Sequence, residues 1–226
     1  MKTKIMLFAL VLFTGCSALA TYITNADSDY EIIPIKIEQG FLKKPKIHIG
    51  NYYLRQTKSI SSDISLGKLF EVNDIYRDKT GHKYAFYRND TLMGESEIYK
   101  KEAGIKSSSS SLSISSTYNN IIIDGLAKEY TILGIRDENY VVYSDNLIGT
   151  VVIKNYHSKN KNNPDDKWTF HTGFEIFVNN ESYGILGFYP DPILYIKNNN
   201  RIITKESEDR LMLYIITSFQ TFREME

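Results

Sequence analysis

Runs rich in Ile, Tyr, Phe and Val recur along most of the chain, each closed by polar, turn-forming residues. The first five are residues 31–37, 46–55, 68–77, 82–88 and 92–99. Residues 112–116, 120–124, 130–135, 140–144 and 148–155 follow, then 168–178, 183–189 and 193–197. Asp78-Lys79-Thr80-Gly81 and Arg88-Asn89-Asp90 have the composition of turns between runs. Short runs of β-branched and aromatic residues, punctuated this often, predict strands. Thirteen runs with no helical pattern between them argue against βαβ units. They predict a mainly β domain, a single closed barrel or sandwich of about twelve short strands.

Two stretches between runs are polar. Residues 106–111 are a lysine followed by five serines, and residues 157–167 are rich in Asn, Lys and Asp around Pro164. Both predict exposed loops, the second a long hairpin connection.

The C-terminal pattern differs. Ser207-Glu208-Asp209 offers an N-cap with acids in the first turn, and Arg223 falls in the last turn, predicting a helix over 207–223. Residues 211–222 (LMLYIITSFQTF) carry no charge. A surface helix has a charged face, so this one is expected inside the fold. Its uncharged part rises about 18 Å, too little to cross a bilayer.

At the other end, Lys2 and Lys4 precede an unbroken apolar run over residues 5–13. A spanning helix needs about 20 residues, so the run predicts the h-region of a signal peptide. Gly15 and Cys16 follow at once, and Cys16 is the only cysteine, which leaves no internal disulfide. A small residue and then a cysteine at the end of an h-region resembles the lipobox of bacterial lipoproteins. Phe13 stands where Leu is usual, with Leu12 beside it.

The resemblance implies that residues 1–15 are a signal peptide, that Cys16 is the lipid-attachment residue, and that residues 16–29 are a tether. Residues 30–226 then form a single β domain. One acyl chain holds a protein marginally and two hold it stably, at about 0.8 kcal/mol per buried CH₂. The implied location is a membrane surface of the bacterial cell envelope, periplasmic or external. Ala18-Leu19-Ala20 offers the alternative, cleavage that releases a soluble secreted effector or adhesin beginning at Thr21.

Many strands followed by one apolar helix resemble the tubby C-terminal-like fold of tubby proteins, LURP-one-related proteins and phospholipid scramblases. Residues 70–81 (FEVNDIYRDKTG) resemble that family's opening hairpin, where an extended strand meets an Asp-x-x-Gly turn. Residues 208–222 resemble its buried helix. The likeness spans about residues 50 to 223 and implies a closed barrel of about twelve strands around the helix. Animal tubby proteins hold phosphoinositides with basic residues. The nearest basic cluster, Lys43, Lys44 and Lys46, precedes the matching segment, so no ligand residue carries over. It reads as a solvated turn around Pro45.

Lys plus Arg equals Asp plus Glu, 27 each, which leaves no basic excess for nucleic acid. Gly94-Glu95-Ser96-Glu97-Ile98 lacks the second glycine of a nucleophile elbow, and Gly67-Lys68 is followed by Leu69, not by the Ser or Thr of a P-loop. Glu95 and Glu97 share one strand face, about 6.6 Å apart at Cα. Leu92, Gly94, Ser96 and Ile98 take the other, so the glutamates are expected to face solvent rather than a glycosidic bond. His48, His82, His157 and His171 are not spaced as metal ligands, and His171 reads as a strand residue. Asp165-Asp166 lacks the spacing of a calcium loop. Tyr52, Tyr53, Tyr76, Tyr84, Tyr87, Tyr183, Tyr189 and Tyr195 offer either an aromatic binding surface or ordinary barrel-wall residues.

The expectation is a membrane-anchored, non-enzymatic domain for binding or envelope structure, without cofactor or metal. Its partners are the membrane, through the lipid, and an envelope protein or lipid. The enzymatic alternative is a hydrolase whose triad is dispersed in sequence. It requires a pocket that joins a histidine to a serine and a carboxylate.

Overall fold

The computed structural model of the chain describes residues 30–40, 43–69, 73–106, 111–135, 138–158, 170–188, 191–198 and 204–225. Cys16, the segments expected as signal and tether, Trp168 and Tyr189 lie outside the described residues, as do most of the two polar loops.

The strands are β1 (Tyr30–Gly40), β2 (Lys43–Ile49), β3 (Tyr52–Leu69), β4 (Asn73–Arg88), β5 (Thr91–Lys106), β6 (Ser111–Ile123), β7 (Leu126–Thr131), β8 (Leu133–Ile135), β9 (Glu138–Asp145), β10 (Gly149–Ser158), β11 (Phe170–Val178), β12 (Glu181–Gly187) and β13 (Ile193–Lys197). One helix, α1 (Lys205–Met225), follows. All strand pairs are antiparallel, in the order β7-β6-β5-β4-β3-β2-β1-β13-β12-β11-β10-β9-β8. The two ends of that row, β7 and β8, are separated in the chain only by Ile132. Taken as one interrupted stave they make a nearly closed barrel of twelve staves, as the sequence pattern predicts. At the seam the Ile132 N–H donates to the Thr117 carbonyl (2.9 Å), and the Lys128 and Tyr130 side chains both donate to the Ser144 carbonyl of β9.

Three hairpins turn on residue pairs with positive φ: Asn89-Asp90, Asp124-Gly125 and Asn179-Asn180. Such two-residue turns twist with the sheet and admit only Gly or short polar side chains. Strand alternation aims Ile49, Leu54, Phe86, Ile98, Val151 and Ile176 inward, all buried. The helix fills the space they enclose, and every residue from Leu211 to Phe222 is buried. Tyr143 stacks on Tyr214 (centroids 4.5 Å apart) and Phe174 on Phe222 (3.9 Å). Three polar residues of the helix bond to the wall, while the buried Thr217 hydroxyl has no hydrogen-bond partner among the described residues. Ser218 meets the Tyr143 hydroxyl (2.8 Å), Thr221 donates to Asn119 Oδ1 (2.7 Å), and Gln220 donates to the Tyr84 hydroxyl (3.0 Å).

Several boundaries differ from those expected. The helix begins at Lys205, because Thr204 rather than Ser207 caps it: Thr204 Oγ1 accepts the Ser207 N–H (3.1 Å). Residues 46–55 are a hairpin folded at Gly50 and Asn51, with Gly50 at φ 56°. Lys44 and Lys46 lie in β2, not in a turn. The largest difference is strand length. β3, β4, β5 and β6 have 18, 16, 16 and 13 residues.

Asp78-Lys79-Thr80-Gly81 is therefore no turn but the middle of β4. Gly81 serves a close approach between strands instead. A Cβ there would lie 2.1 Å from the Ile98 carbonyl oxygen and 2.5 Å from Tyr99 Cα, and backbone cannot yield to it. The opening hairpin on which the tubby-like resemblance drew does not turn at that position.

Candidate functional site

The long strands carry the sheet past the helix C-terminus as a four-stranded extension. Where the extension leaves the barrel, its inner face and the last helical turn enclose a cleft of about 670 Å³. Register places Ser59 of β3 opposite His82 of β4, His82 opposite Ile98 of β5, and Thr80 opposite Lys100. Thr117 of β6 and Glu224 of α1 complete the polar wall.

The His82 ring is oriented by the Gln56 side-chain amide, which donates to Nδ1 at 2.8 Å. An amide N–H can only donate, so the neutral ring carries its proton on Nε2. Lys100 pairs with Glu102 (3.1 Å). The Glu224 carboxylate accepts from the Tyr84 hydroxyl and from Gln220 (2.7 Å). Burial, and then the neighbouring Glu224 charge, push the Tyr84 hydroxyl well above the ordinary tyrosine range, so it remains a donor. The cleft thus offers an imidazole N–H, an ammonium and the hydroxyls of Ser59, Thr80 and Thr117. That set suits a polar ligand rich in hydrogen-bond acceptors.

The opposite end of the barrel is pinned by charge. Asp209, at the helix N-terminus and only 8% exposed in its side chain, takes a forked contact from Arg88 Nη1 on both its oxygens and a hydrogen bond from Tyr52 (3.0 Å). Arg210 reaches Asp145 (3.3 Å), Glu206 (3.1 Å) and Asp124 (3.4 Å). Tyr214 also donates to Asp145 (2.7 Å). Burial alone would raise the Asp145 carboxyl, but the bonds from Tyr214, the Leu147 and Ile148 N–H groups and Arg210 outweigh it. They hold the carboxyl below the usual carboxylate range. An opening of about 600 Å³ lies beside these pairs, against β1 and Met212.

The sequence candidates scatter. Glu95 is exposed, while the Glu97 side chain is only 11% exposed, contrary to the expected solvent-facing pair. Glu97 does lie on the outer face, but Lys79, Lys83 and Asn120 from the neighbouring strands cover it. Ser96 faces the interior and is fully buried. His48 sits outside, 3.2 Å from Glu38 and against Tyr53. His157 and His171 are register partners of β10 and β11. Among the described residues no group of three His, Cys, Asp or Glu is arranged to hold a metal ion.

The described tyrosines of the candidate set form no common surface. Tyr53 and Tyr87 stack on the outside (4.7 Å), Tyr52 and Tyr84 point inward, and Tyr183 and Tyr195 are buried. Of the histidines, glutamates and described tyrosines weighed in sequence, only His82 lines the cleft, beside Thr80 and Gly81 of the expected turn. Ser59, Lys100, Thr117 and Glu224 are ordinary residues in a linear reading, and only the register and the helix end bring them together.

Comparison with protein-family models, with curated proteins and with solved structures finds no match.

Proposed function

We propose that the protein is a bacterial lipoprotein, anchored at an envelope membrane through Cys16, whose tubby-like β domain works by binding at the mouth beside the helix C-terminus. The observation that carries the reading is the position of the only cysteine, directly after the apolar run and Gly15. Twelve staves around one buried helix support the tubby-like comparison. The cleft supports binding rather than turnover. His82 is oriented by an amide, not by a carboxylate, and Glu224 is already engaged by Tyr84 and Gln220.

The test is the intact mass of the mature N-terminal peptide from membrane and medium, for wild type and Cys16→Ala. An acylated peptide beginning at Cys16, lost in Cys16→Ala, is the expected result. An unmodified peptide beginning at Thr21 in both would replace the anchor with soluble secretion.

A hydrolase is the second reading, because Ser59, His82 and Glu224 line one cleft. It requires ester or amide turnover that disappears in both Ser59→Ala and His82→Ala. Turnover abolished by those changes would displace the binding reading.

A further inference from the structure

Past the helix the sheet has two free edges, and they are built differently. On one side, β2 pairs with β3 only as far as Arg55, leaving Lys58 to Leu69 without a neighbouring strand among the described residues. That edge carries Lys58 and Asp63. Its pairing with β4 is irregular between Gln56 and Lys58 and again between Ser65 and Gly67. Charges and bulges are how sheets block the addition of another strand.

On the other side, β7 covers β6 only from Tyr118 to Ile123, which leaves residues 111–116 open on that side among the described residues. This stretch, Ser-Leu-Ser-Ile-Ser-Ser, has no charge, proline or glycine, and its register with β5 runs without irregularity. None of the usual blocks is present.

The open backbone has a defined phase. The Thr117 carbonyl points away from β5, since it accepts the Ile132 N–H. Backbone groups alternate sides along a strand, so the N–H and C=O of Ser111, Ser113 and Ser115 also point away from β5. Beside them, Leu112 and Ile114 are 74% and 77% exposed on the outer face. Their register partners on that face are Ile105 and Ala103.

We propose that this edge is a self-pairing surface. A second copy of the chain lays its own residues 111–115 antiparallel along β6 and joins the two extensions into one sheet. The backbone phase selects the register. With Ser113 on the two-fold axis, Ser113 faces Ser113, and each Ser111 faces Ser115. These are three hydrogen-bonded pairs, each exchanging two N–H···O bonds. Leu112 then meets Ile114 at the closer, non-hydrogen-bonded positions, twice, on the outer face. The occupant is a second copy because the stretch is complementary to itself: apolar meets apolar, and no like charges oppose one another. The pairing consumes the same edge on both chains and closes at two.

The test is oxidative cross-linking of the full chain. Across a hydrogen-bonded pair the Cα atoms lie about 5.5 Å apart, within disulfide range. Ser113→Cys is expected to give a covalent homodimer. Wild type, whose only cysteine is Cys16, sets the background, and Ser61→Cys on the blocked β3 edge stays at that background. Sedimentation of the protein in detergent is expected to show a dimer.

Ser113→Pro removes an N–H that points away from β5. It is expected to weaken the dimer at least tenfold with circular dichroism unchanged. Should that variant not fold, Ile114→Lys, at an exposed position, gives the same readout. A wild type that stays monomeric, cross-linking of Ser113→Cys no faster than Ser61→Cys, capture of a different protein at Ser113→Cys, or a dimer indifferent to Ser113→Pro and Ile114→Lys would each overturn the proposal.

Discussion

The two ends of the barrel use similar residues to opposite effect. At the helix N-terminus, Asp209, Asp145, Arg88 and Arg210 meet in pairs, and Tyr52 and Tyr214 each add a bond to one of the carboxylates, while Arg210 Nε stays without a partner among the described residues. At the helix C-terminus, His82 and Lys100 each have one partner, and both line an open cleft. Inward-facing polar groups whose bonds are nearly complete hold a structure together and leave little for a ligand. The same kinds of group with spare donors beside a cavity contribute little to stability and are available for recognition.

The comparison breaks most sharply at Asp209. Asp209→Ala leaves Arg88 and Tyr52 without their buried partner and is expected to cost about 3–4 kcal/mol in urea unfolding. A cost below about 1 kcal/mol would mean that the pinned end is not pinned.

Asp145→Asn is next, at about 2–3 kcal/mol. It also carries a pH signature. The Asp145 carboxyl is held below its ordinary range, so its contribution is full above the unfolded value, about 4, and is lost as pH falls through the depressed folded value. Wild type should lose stability below about pH 4, and Asp145→Asn should lose less over that interval. Parallel acid profiles would remove Asp145 from the account.

A smaller effect is expected midway along the helix. Tyr143→Phe strips the hydroxyl shared by Asn119 (2.8 Å) and Ser218 (2.8 Å). It should lower stability by about 1–2 kcal/mol with the fold unchanged by circular dichroism. The smallest effect belongs to the open mouth. His82→Ala and Lys100→Ala should each shift unfolding by less than about 0.5 kcal/mol. A loss as large as that of Asp145→Asn would make the mouth a second structural pin rather than a binding site.

Much of the barrel body is legible in the sequence because its strands have one wet face and one dry face. Alternation, the Asn89-Asp90 turn and the uncharged helix all follow from that asymmetry. The extension is wet on both faces, so polar residues there do not mark loops. Asp78 and Thr80 look like turn residues, yet they stand on the inner face of β4, across from Glu102 and Lys100.

Gly81 misleads for a related reason. A glycine that admits a neighbouring backbone has the same letter as one that turns a chain, and only φ and the contact distances tell them apart. Glu97 is covered by Lys79 and Lys83, which alternation along β5 cannot show because they belong to β4. The cleft is the least legible feature, since it is assembled from four strands and the helix end. Gln56, 26 residues from His82, gives no local sign of orienting it.

The filling of the barrel follows its staves in the chain. Thirteen strands emerge from the ribosome before Lys205, and the inner faces of Leu54, Ile98 and Val151 then have no helix to pack against. Until residues 205–225 arrive, the chain is a curved sheet without an interior. A polypeptide written in this order makes its walls before its lock.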